Sequence, residues 1–200
     1  MSELSEVIEK AHEGEHAEFF NKRIALIIAI LALFLSFSET LAKGAQTETV
    51  IKNIQASDLW AFFQAKDIRR TVVTAAADQT GLLAAGLTDP AAKAAIDKQV
   101  ATWRTTAERY ESDPKAGNGR KQLEEKAKDA EAERDLATAK YHHYELASAA
   151  FQIGIVLASA AVITGMVALA WFAGGLGVVG AVLLGLGLYA PHAVPLIANL

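Results

Sequence analysis

His12-Glu13-Gly14-Glu15-His16 is the stretch of this chain whose residue types and spacing match a catalytic metal motif. Two histidines one helical turn apart can hold zinc while an adjoining glutamate acts as general base. The surroundings argue against that chemistry. The motif sits in an acidic tail with little material for a pocket, just before an apolar span. His142, His143 and His192, the obvious third ligands, fall beyond that span and are expected across a bilayer from it. The tail therefore reads as a solvated acidic segment, with His12 and His16 only weak metal candidates. No catalytic residue and no cofactor is assigned, and the chain reads as a non-enzyme.

Tyr141-His142-His143-Tyr144-Glu145 is a second titratable cluster, placed where a charged helix turns apolar. Tyrosines suit such a boundary because the ring is apolar and the hydroxyl wet. The reading is an interfacial belt with His143 in a packing seam; a pH-sensing or proton-relay role is the sharper alternative. Glu39 leaves the first span on the same side, so a salt bridge or hydrogen bond with His142 or His143 is expected.

The densest cluster runs from Gln55-Ala56-Ser57-Asp58-Leu59-Trp60 through Ala61-Phe62-Phe63-Gln64-Ala65-Lys66 to Asp67-Ile68-Arg69-Arg70. It holds no glycine-rich phosphate loop, nucleophile elbow or pair of opposed carboxylates. A helix apolar around most of its circumference is usually buried on several sides, so core and oligomer interface is the reading, with a ligand pocket as the alternative.

These residues must be positioned by helices. The chain is 52% apolar yet 21% charged, with a mean hydropathy of +0.21. The two kinds of residue are segregated: residues 146–200 contain no Asp, Glu, Lys or Arg. Apolar runs at about Ile24–Leu41, Leu146–Phe172 and Leu176–Ala190 each approach the ~20 residues that cross a bilayer core. The resulting plan is an acidic tail (1–21), a first span (22–42), a soluble helical region (43–145), a second span (146–172), and a third span with the C-terminal end (173–200). The tail lacks the basic region of a secretory signal, so the first span is expected to be retained. Lys22 and Arg23 favour an internal tail under the positive-inside rule, but its acidity and Lys43 beyond the span leave sidedness open. A net charge of −4 disfavours nucleic acid as partner. The absence of cysteine excludes disulfides and thiolate chemistry.

From Ile30 onward, apolar or small residues recur at heptad spacing: Leu33, Phe37, Thr40, Gly44, Thr47, Ile51, Ile54, Asp58, Ala61, Ala65, Ile68 and Val72. The pattern predicts one helix running from lipid into water. Asp89-Pro90 starts a second helix, and Asp113-Pro114 with Gly117-Asn118-Gly119 stops it. A third helix shows two seams, one of Leu123, Ala127, Ala130, Arg134, Ala137, Tyr141, Tyr144, Ser148 and Phe151, the other of Ala132, Leu136, Ala139, His143, Leu146 and Ala150. Unbroken from Arg120 to Phe172, it would be about 80 Å long. The expected fold is an all-α membrane protein with three transmembrane helices. Spans one and two continue into a long antiparallel stalk joined by one extra soluble helix. Ala173–Gly175 is the expected turn between the last two spans, and Ala173, Gly177, Ala181 and Gly185 form a small-residue packing stripe.

The stretch Gln55-Ala56-Ser57-Asp58, Trp60-Ala61 and Phe63-Gln64-Ala65-Lys66 resembles the signature of a bacterial membrane-protein family catalogued as domain of unknown function 4337. The resemblance extends to the acidic tail, the first span and the glycine-rich final hairpin. Phe62 and Phe63 stand where members often carry tyrosine, which speaks against that hydroxyl as an essential group. The resemblance implies architecture and bacterial origin, and no activity.

The functional expectation is a structural or accessory subunit of the bacterial inner membrane. Its partners are membrane lipids and either further copies of itself or a larger membrane complex. Trp60, Phe63, Lys66, Ala137, Tyr141, His143, Gly177, Ala181 and Gly185 are the candidate interface. A channel or small-solute conduit through an oligomer is the alternative.

Overall fold

The computed structural model describes the backbone of residues 2–194 and the side chains of residues 21–194. Four helices make up the fold: α1 (Ser2–Ala84), α2 (Pro90–Glu111), α3 (Arg120–Thr164) and α4 (Val167–Tyr189). There is no strand among the described residues. In α1, α3 and α4 there are segments long and apolar enough to cross a membrane.

The helix ends follow from local chemistry. Asp89 is extended and its carboxylate accepts a hydrogen bond from the Ala91 amide at 3.0 Å, with Pro90 opening α2. The α3–α4 turn falls at Gly165-Met166, not at Ala173–Gly175, which lies inside α4. Gly165 adopts φ +68°, a left-handed conformation that closes α3 without steric cost, while its amide bonds the Ala161 carbonyl at 2.9 Å. The second apolar segment therefore ends at Thr164, and α3 does not reach Phe172.

The chain divides into two compact units, one of residues 1–49 and 135–200, the other of residues 50–134. In the first unit, Leu31, Ala45, Tyr144, Ala147, Phe151 and Leu184 form one core cluster, and Ile24, Ala158, Ala161 and Ala173 a second. The buried Ser38 hydroxyl donates to the Tyr144 carbonyl at 2.8 Å, and Phe34 stacks on Phe151 with ring centres 5.8 Å apart. Partners on α3 descend in number as those on α1 ascend, so the helices run antiparallel there. The inward stripe of α4 is Ala173, Gly177, Gly180, Leu184 and Gly187. A Cβ at Gly180 would strike the Phe151 ring, and one at Gly187 the Tyr144 ring. Glycine here lets aromatic side chains of α3 lie on the backbone of α4.

In the second unit, α1 and α3 are joined by Lys52–Glu133 and Arg120–Asp67 ion pairs, again antiparallel. The second helix packs back along α1 through Arg104–Asp78 and Arg70–Glu111. Val100 and Ala107 are its buried residues.

The seam of α1 that packs inside the chain differs from the one its apolarity predicts. Ile24, Ile28, Leu31, Leu35, Ser38, Ala42, Ala45 and Thr49 are all buried or half-buried, and so are Lys52, Ala56, Leu59, Phe63, Lys66, Arg70, Val73, Ala77, Thr80 and Ala84. This is an unbroken alternation of four and three residues. The expected seam from Ile30 to Val72 is exposed throughout, apart from the half-buried Ala65. On α3 the Leu123–Phe151 seam is inward as expected. Its other seam is buried at Ala139, His143 and Ala150 but open at Ala132, Leu136 and Leu146.

Candidate functional site

The inward seam of α1 sets the geometry of the densest polar site, where the ends of α2 and α3 meet α1. Trp60 is half-buried and its indole N–H donates to Glu131 Oε1 on α3 at 2.9 Å. Its ring meets Phe63 edge-on, with centres 5.3 Å apart at 80°. Phe63 lies in turn beneath the Arg120 guanidinium, 5.3 Å from ring centre to Cζ. Such contacts hold a cation by the negative face of the ring.

Arg120 donates through Nε and Nη2 to the two Glu111 carboxylate oxygens at 3.0 and 3.3 Å, and through Nη1 to Asp67 at 3.1 Å. Arg70 approaches Glu111 from α1 at 3.2 Å. The hydrogen bonds from Arg120, helped by the charges of Arg70 and Lys121, hold the Glu111 carboxyl below the usual carboxylate range. Reciprocally, the bond to Glu111 raises the Arg120 pKa. One guanidinium thus ties together α1, α2 and the first residue of α3, with the two-pronged geometry that makes arginine–carboxylate pairs directional.

The α2–α3 connection is braced separately. Gln122 accepts from the Asp113 amide at 3.0 Å and donates to the Ser112 hydroxyl at 3.1 Å. A Cβ at Gly119 would collide with the Asp113 amide and Ser112, so the close approach requires glycine there. Lys66 projects toward this connection, its Nζ donating to Asn118 Oδ1 at 3.2 Å.

Trp60, Phe63 and Lys66 are therefore brought together, but by contacts within the chain. Ala137, Tyr141 and His143 lie in the first unit. Ala137 is buried, and the half-buried Tyr141 donates to Glu145 at 3.0 Å. His143 is fully buried, with Nδ1 2.9 Å from the Ala139 carbonyl and Nε2 lacking a partner. The expected pairing of Glu39 with His142 or His143 is not formed: Glu39 accepts from Gln152 at 3.3 Å, and His142 rests against the Tyr141 ring. On α4, Gly177 faces Leu31, whereas Ala181 is exposed and Gly185 has nothing within reach of an added Cβ. The α4 stripe keeps the expected Ala173 and Gly177 and shifts by one position beyond them, because Phe151 and Tyr144 select Gly180 and Gly187. His12 and His16 lie outside the residues whose side chains are described.

The face of α1 left open is the other seam. Ile51, Ile54, Gln55, Asp58, Ala61, Phe62 and Ala65 line an apolar groove along it. Ile68 and Val72 continue the exposed stripe at 64% and 61% exposure. Arg120 and Glu111 escaped the sequence reading as site residues, Asn118 entered it only as a turn residue, and Asp67 only as part of the Gln55–Arg70 cluster. Their signal was present in Gly117-Asn118-Gly119, which marks a tight turn but not what it approaches.

The family described as Domain of unknown function (DUF4337) matches residues 20–190, most of the chain. The chain belongs to this family. The DUF4337 match takes in all of α2, α3 and α4, and α1 from residue 20 onward. It also encloses the Trp60–Lys66 signature and its partners on α3. Comparison with curated proteins and with solved structures returned no match.

Proposed function

We propose that this DUF4337 chain is a non-enzymatic structural subunit of the bacterial inner membrane, anchored by three spans and associating with copies of itself through the outward seam of α1. In this reading α1 and α3 leave the bilayer together as an antiparallel stalk, with α2 packed on its far part. The observation that carries the reading is the exposure of Ile51, Ile54, Ile68 and Val72, at 56%, 56%, 64% and 61%. These residues lie beyond the apolar run that lipid could cover. Apolar surface in water costs about 25 cal/mol per Å², and a stripe at coiled-coil spacing is normally filled by another helix. A second copy in the same membrane offers the same stripe at the same distance from the bilayer. That makes the seam self-complementary.

The chain contains no cysteine, so single-cysteine variants report contacts directly. Oxidation of native membranes should link Ile54→Cys chains into covalent dimers, while Asn53→Cys, on the polar flank of the same turn, should stay monomeric. Equal linking at both positions, or a 21.3 kDa monomer by light scattering in mild detergent, would overturn the reading.

A further inference from the structure

We propose that a pocket of about 250 Å³ in the second unit binds a small oxyanion of the phosphate or carboxylate class between Lys66 and Arg109. The pocket is walled by Lys66 of α1, by Thr106, Arg109 and Tyr110 of α2, and by Asp113 and Asn118 of the connection.

Lys66 carries the argument. The residue is only 9% exposed, and a desolvated ammonium is costly unless a counter-charge or hydrogen bonds replace water. Three other inward cations of the unit have carboxylates: Lys52 has Glu133, Arg70 has Glu111, and Arg120 has Glu111 and Asp67. Lys66 has none among the described residues. Its one hydrogen bond goes to the neutral Asn118 amide oxygen at 3.2 Å, leaving two of the three ammonium donors unassigned. The Tyr110 and Phe62 rings lie 5.2 and 5.7 Å from Nζ. Their negative faces attract the cation without neutralising its charge.

The remaining walls suit an anion. Arg109 brings a second cation from α2, with its side chain 74% exposed and only a loose 3.7 Å approach to Asp113. Asp113 is already engaged, its Oδ1 accepting from the Ala116 amide at 3.0 Å. Two cations against one occupied carboxylate leave the wall net positive. The Thr106 hydroxyl is spent on the Thr102 carbonyl at 2.9 Å, so recognition rests on Lys66 and the Arg109 fork. A compact ammonium with a planar guanidinium is a pairing suited to phosphate and carboxylate oxygens.

The test uses the full chain in detergent, titrated with inorganic phosphate against chloride at matched ionic strength and followed by calorimetry. A parallel arm compares nanodiscs of phosphatidylcholine with and without phosphatidic acid, which separates a free anion from a lipid headgroup. Saturable binding in either arm, weakened at least tenfold by Lys66→Met and by Arg109→Gln and kept by Lys66→Arg, is the expected result. Arg109→Gln alters an exposed side chain and so tests the site even where Lys66→Met fails to fold. No saturable response in either arm, or a response that Arg109→Gln leaves unchanged, would overturn the proposal. The measurement does not depend on self-association, so its failure and that of the structural reading are separable.

Discussion

Two seams run along α1, and the contrast between them explains most of this molecule. The inward seam is a mixture: Ser38, Thr49, Lys52, Lys66 and Arg70 alternate with Leu31, Ala45, Ala56 and Ala77. The outward seam is the more apolar, with Ile30, Leu33, Phe37, Ile51, Ile54, Ile68 and Val72, yet none of these side chains is covered. A helix that packs on its own chain can specify each neighbour, so small residues and matched polar pairs serve there. An unspecific apolar stripe suits a surface filled by association. Apolarity alone ranks the two seams in the wrong order for intrachain packing.

The largest expected effect comes from setting the two seams against each other by substitution. Trp60→Ala removes an indole that is half-buried against Phe63 and Glu131, and should destabilise the second unit by about 3 kcal/mol, within the range for large-to-small aromatic changes. Ile54→Asn, on the outward seam, should change stability by no more than about 0.5 kcal/mol, as for surface positions, while reducing the mass of the detergent particle. Helical melts by circular dichroism and light scattering on the same samples read both. Equal destabilisation by the two variants would erase the distinction between the seams.

A smaller effect is expected from acid. The Glu111 carboxyl is held below its ordinary range by the hydrogen bonds from Arg120, so its folded-state pKa lies below that of the unfolded chain. Its stabilising contribution is complete above the ordinary carboxylate range and is lost as pH falls through the lowered value. Unfolding of the wild-type chain should therefore ease on acidification below that range. Arg120→Gln should lower stability near neutrality and flatten the acid slope. A slope unchanged by Arg120→Gln would place the acid sensitivity elsewhere.

The parts legible in the sequence were those governed by local rules. Asp89-Pro90 fixed the start of α2, and segregation of charge located the three apolar segments. The Leu123–Phe151 seam of α3 was readable because alanine and aromatic residues occur there at regular spacing. What escaped depended on long-range partners. Arg70 looks like a solvent residue until Glu111 of α2 is placed beside it, and Asn118 is only a turn residue until Lys66 is. The α4 stripe shifted from Ala181 to Gly180 because of a ring on α3 that no property of α4 announces. Gly165 was one glycine among many, and only its positive φ distinguishes it as the turn.

The finest test of the contrast concerns the single charge within the soluble part of the outward seam. Asp58 and Arg69 lie on one face of α1, and neither has an ion-pair partner in the chain among the described residues. If copies stand side by side in one bilayer, their α1 helices run parallel and equivalent positions meet. Asp58 then faces Asp58, and like charges in a shared layer oppose association. Asp58→Leu should therefore tighten self-association a few-fold, roughly 0.5–1 kcal/mol. Antiparallel copies would instead place Asp58 opposite Arg69, where the same substitution removes an attraction. Weaker association of Asp58→Leu would thus keep the outward seam as an interface and reverse the direction of the helices that share it, which side-by-side copies in a single bilayer do not permit.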